Sequence, residues 1–334
     1  MLGKYEISNN KNNSLIISVA MCTYNGGKYL QEQLYSIVKQ TQLPDEIVIC
    51  DDGSIDSTLQ ILNEFKKNAT FQVRIYHNEK RLGPTKNFEK AINLCKGDII
   101  VLSDQDDVWL PHKIEKLKNI FISNYDIAFV FSDAIVVDEK LFPLGYTMWK
   151  SILFTTYQRR LFRNAYQVEV LLKHNVVTGA TLAFRAESRN WILPISDKWV
   201  HDAWIVLLLS ALGIKGDFIE EPLIRYRQHH QQSIGGRMLN LHEQFKQACN
   251  TGSESYNIMA NRFECINKRL ISINKLTKKT KKLFEAKIEH LKIRQRIYSY
   301  RTWKCYHLIC REFLNGHYHR FSNGWKSVIK DLCL

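Results

Sequence analysis

An α/β fold with a mostly parallel central sheet flanked by helices is what this sequence predicts, and three observations predict it. Over the first hundred residues, short apolar runs alternate with segments of helical spacing, the order that βαβ units produce. Polar clusters directly follow three of the apolar runs, at Thr23-Tyr24-Asn25-Gly26-Gly27, Asp51-Asp52-Gly53-Ser54 and Ser103-Asp104-Gln105-Asp106-Asp107. Ligands of parallel sheets gather beyond the carboxyl ends of the strands, where those clusters would fall. After Gly235-Gly236 the composition turns to Lys, Arg, Asn and Ile at helical spacing with no proline, which marks a boundary to an appended basic helical region.

The elements follow in order. Residues 15–22 read as a strand, 28–39 as a helix, 46–50 as a strand and 57–67 as a helix that Asp56 or Ser57 caps. Residues 71–76 form the next strand, 87–94 a helix and 98–102 the fourth strand. A helix entered at Pro111 has Asp107 as a candidate cap. Farther on, 127–131, 180–184, 217–219 and 223–227 are strand candidates, and a helix starts near Asp202. Residues 1–14 form a polar extension, 15–236 one α/β domain and 237–334 the basic region.

At 334 residues and 45% hydrophobic content, the chain can bury one large core and a smaller appendage. The polar start carries no apolar run of a secretory signal, and the most apolar stretch, 204–214, is too short to span a bilayer. A cytoplasmic location is expected. The eight cysteines show neither Cys-x-x-Cys pairs nor zinc-ligand spacing and read as free thiols, with Cys22 and Cys50 in the core. Residues 237–334 hold 20 of the 47 Lys and Arg but only 7 of the 33 Asp and Glu, a net charge of +13 that leaves +1 for everything before.

Asp104, Asp106 and Asp107 repel one another unless a cation or solvent relieves them. Carboxylates two residues apart on a strand-end turn can present oxygens to one Mg²⁺ or Mn²⁺, which clamps a diphosphate. A solvated loop accounts for the same residues. Asp51 and Asp52 exceed what a turn and a helix cap require, and one of them can accept the imide N–H of a pyrimidine while Thr23 and Tyr24 flank base and ribose.

Thr23-Tyr24-Asn25-Gly26, Gln31-Glu32-Gln33-Leu34, Asp51-Asp52-Gly53-Ser54, Asn78 with Leu82-Gly83, Asn87-Phe88 and Asp104-Gln105-Asp106-Asp107-Val108-Trp109 occur in an order that resembles the family-two glycosyltransferases. The resemblance covers about residues 15 to 236. It implies the Rossmann-like GT-A fold, with 15–125 binding a nucleotide-sugar donor and 126–236 the acceptor. It also implies inversion at the anomeric centre. It puts Thr23, Tyr24, Asn25, Asp51, Asp52, Asn87, Asp104, Gln105 and Arg227 around the donor, and Asp104, Asp106 and His229 on Mg²⁺ or Mn²⁺.

An inverting transfer needs a general base for the acceptor hydroxyl. Asp202 in His201-Asp202-Ala203-Trp204 matches the family's acidic dipeptide, with His201 in place of its first acid. Asp202 is therefore the expected base, and a helix cap is its alternative reading. Tyr226-Arg227-Gln228-His229 resembles a late element whose histidine reaches the metal, and His230 stands beside it. The set looks closest to rhamnosyltransferase-like members that build O-antigen and capsule chains. That likeness implies a dTDP- or UDP-sugar donor and a glycan acceptor on a lipid carrier.

Between Lys275 and Trp303, ten basic residues accompany Leu276, Leu283, Ile288, Leu291, Tyr298 and Trp303 at roughly helical spacing. The region suits either the anionic inner face of the membrane, making the protein peripheral, or packing on the catalytic domain. No nucleic-acid motif is visible, and no nucleic-acid partner is expected. Two rival functions remain at this stage: a nucleotidyltransferase acting on sugar phosphates, and a binding protein without turnover.

Overall fold

The computed structural model describes residues 15–230, 251–300 and 305–333. The polar extension, the Gly235-Gly236 boundary, Cys249, Arg301 and Trp303 lie outside the described residues. Among the described residues, nine strands make one sheet: β1 (Ile17–Thr23), β2 (Glu46–Asp51), β3 (Gln72–His77), β4 (Ile99–Ser103), β5 (Val108–Trp109), β6 (Ile127–Val137), β7 (Pro143–Thr147), β8 (Ala183–Arg185) and β9 (Lys215–Arg227). Their order is β3-β2-β1-β4-β8-β6-β9-β5, with β7 paired to β6. The first four strands run parallel. Short β8 is antiparallel to both β4 and β6, which returns β6 to the direction of β4, and β9 runs parallel to β6. The carboxyl ends of β1, β2, β4, β6 and β9 therefore share one edge.

Alternation along each strand divides the core between the two faces, as a strand period of two requires. Ile17, Val19 and Met21, with Ile47, Ile49, Ile99 and Val101, face helices α1 (Leu30–Val38), α2 (Thr58–Asn68) and α4 (Lys113–Ser123). Ala20, Val48, Cys50, Ile100 and Leu102 face the other way. There they meet α3 (Pro84–Leu94), α5 (Met148–Ser151), α6 (Thr156–Arg163), α7 (Gln167–Lys173), α8 (Arg189–Ile192) and α9 (His201–Ala211).

The second half departs from the sequence expectations in ways the backbone explains. The segments 217–219 and 223–227 are one strand, β9, whose register against β6 shifts at Pro222 because proline donates no ladder hydrogen bond. The strand expected at 180–184 begins only at Ala183, since Gly179–Thr181 form a 3₁₀ turn. Asp107 does not cap α4: His112 is the cap residue, and the Asp107 carboxylate is buried on the backbone of Arg227. Nor is Asp202 a helix cap, for α9 starts at His201 after Val200. Asp56 does serve α2, accepting from Thr58 N at 3.0 Å.

The basic region folds as α10 (Ser253–Ile273), α11 (Lys278–Tyr300), α12 (Tyr306–Leu314), α13 (His317–Phe321) and α14 (Trp325–Leu332). Ile266, Leu270, Leu283 and Phe284 join the core beside α7 and α9, whereas Leu291, Ile297, Tyr298, Ile309, Tyr318 and Val328 make a second, smaller core. The apolar stripe of α11 expected to suit a membrane is thus spent on packing. Even two of its cations turn inward: Lys287 donates to Phe321 O, and Arg294 pairs with Asp331. No helix of the described residues is long and apolar enough to cross a membrane.

Candidate active site

Register alone brings the polar clusters together. Thr23 pairs with Asp51 across β1 and β2, and Met21 pairs with Ser103 across β1 and β4, so all three strand-end loops leave the sheet side by side. The first loop is bound by its own backbone. Asn25 N donates to Ser54 Oγ at 2.8 Å, Gly26 N to Thr58 Oγ1 at 2.8 Å and Gly27 N to Asp56 Oδ2 at 2.9 Å. Asn25 has φ 47° and accepts from Ile55 N through its side chain. Those N–H groups are committed to the second loop, so this turn is not the phosphate cradle a nucleotidyltransferase would need.

Gln105 fastens the first loop to the acidic one. Its Oε1 accepts from Tyr24 N at 2.8 Å and its Nε2 donates to Tyr24 O at 3.0 Å. Gly26 makes room for that amide, since a Cβ there would lie 2.2 Å from Gln105 Oε1. The Arg81 guanidinium stacks 3.8 Å over the Tyr24 ring.

The two adjacent acids divide their work. Asp51 is fully buried and accepts from Thr23 Oγ1, Ser54 Oγ and Ser54 N, with His77 Nδ1 at 3.0 Å, which fills its four acceptor positions. Asp52 takes Asn78 Nδ2, Leu82 N and Gly83 N, which leaves one hydrogen-bond position on Oδ2, with the Arg81 guanidinium 4.0 Å from that oxygen. Asn87 lies beneath them, donating to Cys50 O and accepting from Asn78, so its amide positions Asp52 rather than facing the cleft.

Beyond β4, Asp104 is half-buried and Asp107 fully buried. Loss of water, then the charges of Asp106 and Asp202, push the Asp104 carboxyl up to about 7. Burial, followed by Asp106 and Asp104, raises Asp107 well above its ordinary value. Beneath them Lys113 is buried, with its Nζ donating to Ala180 O at 2.6 Å and 3.8 Å over the Trp109 ring. Burial brings it down to about 7 against the opposing pull of Asp107 and Asp104. His229 Nε2 is 2.7 Å from Asp106 Oδ2, whereas His230 is exposed.

Arg227, expected beside the donor, is tied to the acidic loop from beneath. Its side chain is 2% exposed, donates to Asp106 O at 2.7 Å and to Glu139 O, pairs with Glu32 and lies over the Tyr29 ring. It braces the acidic loop. Sequence reasoning assigned no role to Glu32, Gln33 or Lys113. Gln33, Ser36 and Gln40 do interrupt the buried face of the α1 segment with amides and a hydroxyl, and that polar spacing was the available signal.

Asp202 stands in the first turn of α9, where the helix dipole favours an anion. Burial pushes its carboxyl up to about 6, opposed by bonds from Ala203 N, Gly179 N and Asn175. Its charge also acts on Asp104, after burial and Asp106, to raise that carboxyl. His201 instead turns into the core, stacked 4.0 Å from Phe88, and burial lowers it to about 3, so it stays neutral. A cleft of about 570 Å³ beside His229 is lined by Asp138, Glu139, Lys140, Gln228 and His230.

The sequence model described as glycosyl transferase family 2 matches residues 18–189. An uncharacterized glycosyltransferase of Haemophilus influenzae is 27% identical over 224 residues, covering 66% of this chain and 68% of that protein. The dTDP-rhamnosyl transferase RfbG of Shigella flexneri is 26% identical over 226 residues, covering 65% of this chain and 74% of its own. Among solved structures, S. aureus TarS 1-349 in complex with UDP-GlcNAc superposes with a TM-score of 0.55 at 19% identity, over 83% of this chain and 72% of that one. That likeness is one of fold, the GT-A fold.

Proposed function

The chain belongs to glycosyl transferase family 2 and is a glycosyltransferase, and from that premise we propose that it moves a sugar from a nucleoside-diphosphate donor to a glycan acceptor with inversion. The observation that carries this reading is the Asp106–His229 pair at 2.7 Å, with the charges of Asp106 and Asp202 both acting on Asp104.

Carboxylate and imidazole donors suit Mg²⁺ or Mn²⁺, and a cation would relieve what raises Asp104, which is burial first and the charges of Asp106 and Asp202 after it. Asp106 and His229 would hold the ion, with Asp104 completing the set after a side-chain movement, since the three donor atoms do not converge as they stand; the ion when bound would neutralise charge on the leaving diphosphate. Asp202 accepts the proton of the attacking acceptor hydroxyl, a role open to it above about pH 6, where it is ionised. Tyr24 and Arg81 offer a flat face to the base, and Asp52, with its remaining acceptor position, is the better placed of the two acids for a base imide.

The donor is a dTDP- or UDP-sugar, with dTDP-rhamnose favoured by the likeness to the rhamnosyl transferase of Shigella flexneri. The acceptor is a glycan on a lipid carrier in the assembly of a bacterial cell-surface polysaccharide. The enzyme would then act as a peripheral protein at the inner face of the cytoplasmic membrane.

Thermal-shift titration with nucleotide sugars, with and without Mn²⁺, tests the donor and the metal together, because a ligand of the native state raises its stability. A metal-dependent shift with dTDP-rhamnose and none with UDP-sugars is expected. The reverse preference would overturn the rhamnosyl assignment, and a shift indifferent to divalent ions would overturn the metal site.

A further inference from the structure

We propose that the terminal helical unit, residues 305–333, is a lipid-docking surface that seats α14 on an anionic bilayer. This deepens the reading of a lipid-linked acceptor given above, and it rests on a surface remote in sequence from every residue assigned to chemistry.

The first observation is an apolar stripe that the fold leaves uncovered. On α14, Trp325, Ile329 and Leu332 are 59%, 55% and 43% exposed. Spacings of four and three residues place them within about 60° of one another around the helix. The inward side of α14 carries Ser327, Val328 and Asp331, all buried. Leu314, at the end of α12, is 82% exposed. Trp325 is held in place by Phe313, whose ring centroid is 4.5 Å away, and lies edge-on to His319. An ordered, half-exposed indole amid aliphatic side chains is the arrangement that settles at the headgroup level of a bilayer.

The second observation is charge, and it selects the occupant. Residues 305–333 contain two acidic side chains, Glu312 and Asp331, and both are buried, at 1% and 3% exposure. Glu312 is hydrogen-bonded to His290 and His317, and Asp331 receives both arms of Arg294 with the hydroxyls of Tyr298 and Tyr318. Arg311, Arg320 and Lys326 are exposed. Every exposed formal charge of this unit is therefore positive. A partner protein surface would be expected to offer mixed charge. An anionic lipid surface offers one sign, and it attracts each nearby Lys or Arg while apolar side chains enter beneath the headgroups. The longer basic helix α11 cannot take this role with its own stripe, since Leu283, Phe284, Leu291 and Ile297 are buried.

The test is co-sedimentation of the full chain with vesicles containing about 30% phosphatidylglycerol in phosphatidylcholine, compared with phosphatidylcholine alone. The wild type should bind the anionic vesicles and partition at least about tenfold less onto the neutral ones. Ile329→Asp should lose about tenfold in binding, and Lys326→Glu about fivefold, with unchanged circular dichroism. Transfer to a water-soluble acceptor should be unaltered in both variants, which separates this surface from the catalytic reading. Equal vesicle binding by wild type and Ile329→Asp would overturn the proposal. So would absence of wild-type binding, or a concentration-dependent dimer that Ile329→Asp abolishes, which would make the face a contact between copies.

Discussion

Replacing Asp202 by asparagine separates the two consequences of burying a carboxylate at the start of α9. The side chain is 7% exposed, and burial raises it from 3.8 to about 6. A shift of that size corresponds to about 3 kcal/mol between its protonation states. Because the folded value is raised, the neutral form is the one the fold prefers. The cost is absent below the unfolded value, grows as pH rises, and is complete above about 6. Asparagine never bears it. Urea unfolding should therefore find the variant more stable, with an advantage about 1.5 kcal/mol larger at pH 8 than at pH 5, where roughly half the penalty has been relieved. Other carboxylates titrate in both proteins and cancel to first order.

Activity should move the opposite way. Loss of a general base costs about 10²–10⁴-fold in turnover, read as nucleoside-diphosphate release in the presence of acceptor, with little change in donor KM. In the wild type, kcat/KM should fall about tenfold per pH unit below about 6 as the base is protonated. Transfer by Asp202→Asn at near wild-type rates, or a stability difference indifferent to pH, would refute the assignment of Asp202 as the base.

Asp106→Asn should weaken Mn²⁺ binding by at least about tenfold in calorimetry, and His229→Ala should do the same to a lesser degree, because the two groups meet at 2.7 Å. Arg227→Ala strands two backbone carbonyls beneath the acidic loop and should cost about 3 kcal/mol in urea unfolding. Gly26→Ala drives a methyl into Gln105 and opens the Tyr24 clamp, so donor KM should rise about tenfold with kcat nearly unchanged. An unchanged KM there would mean that the loop tolerates the displacement.

Much of the first half of the sheet was legible because its signals are local. Apolar runs buried on both faces read as parallel strands, and each strand ends where a polar cluster begins, as Thr23, Asp51 and Ser103 do. The second half was read less well. The short antiparallel β8 joins β4 to β6 through three residues, too few to carry a period. Pro222 split β9 into two apparent strands.

Roles within the site followed the same division. Residue order along the chain fixed which side chains could meet at the sheet edge, since strand register is set by patterns a few residues long. Which of them face the cleft and which hold it up was decided by contacts from distant segments. Arg227 reaches Glu32 and Asp106, Asn87 reaches Cys50, and Lys113 reaches Ala180. The basic tail shows this most plainly. Its charge and helical spacing are written in the sequence, yet only packing determined that the stripe of α11 turns inward while that of α14 stays outside. An amphipathic pattern states that a face must be covered, and only the tertiary structure decides by what.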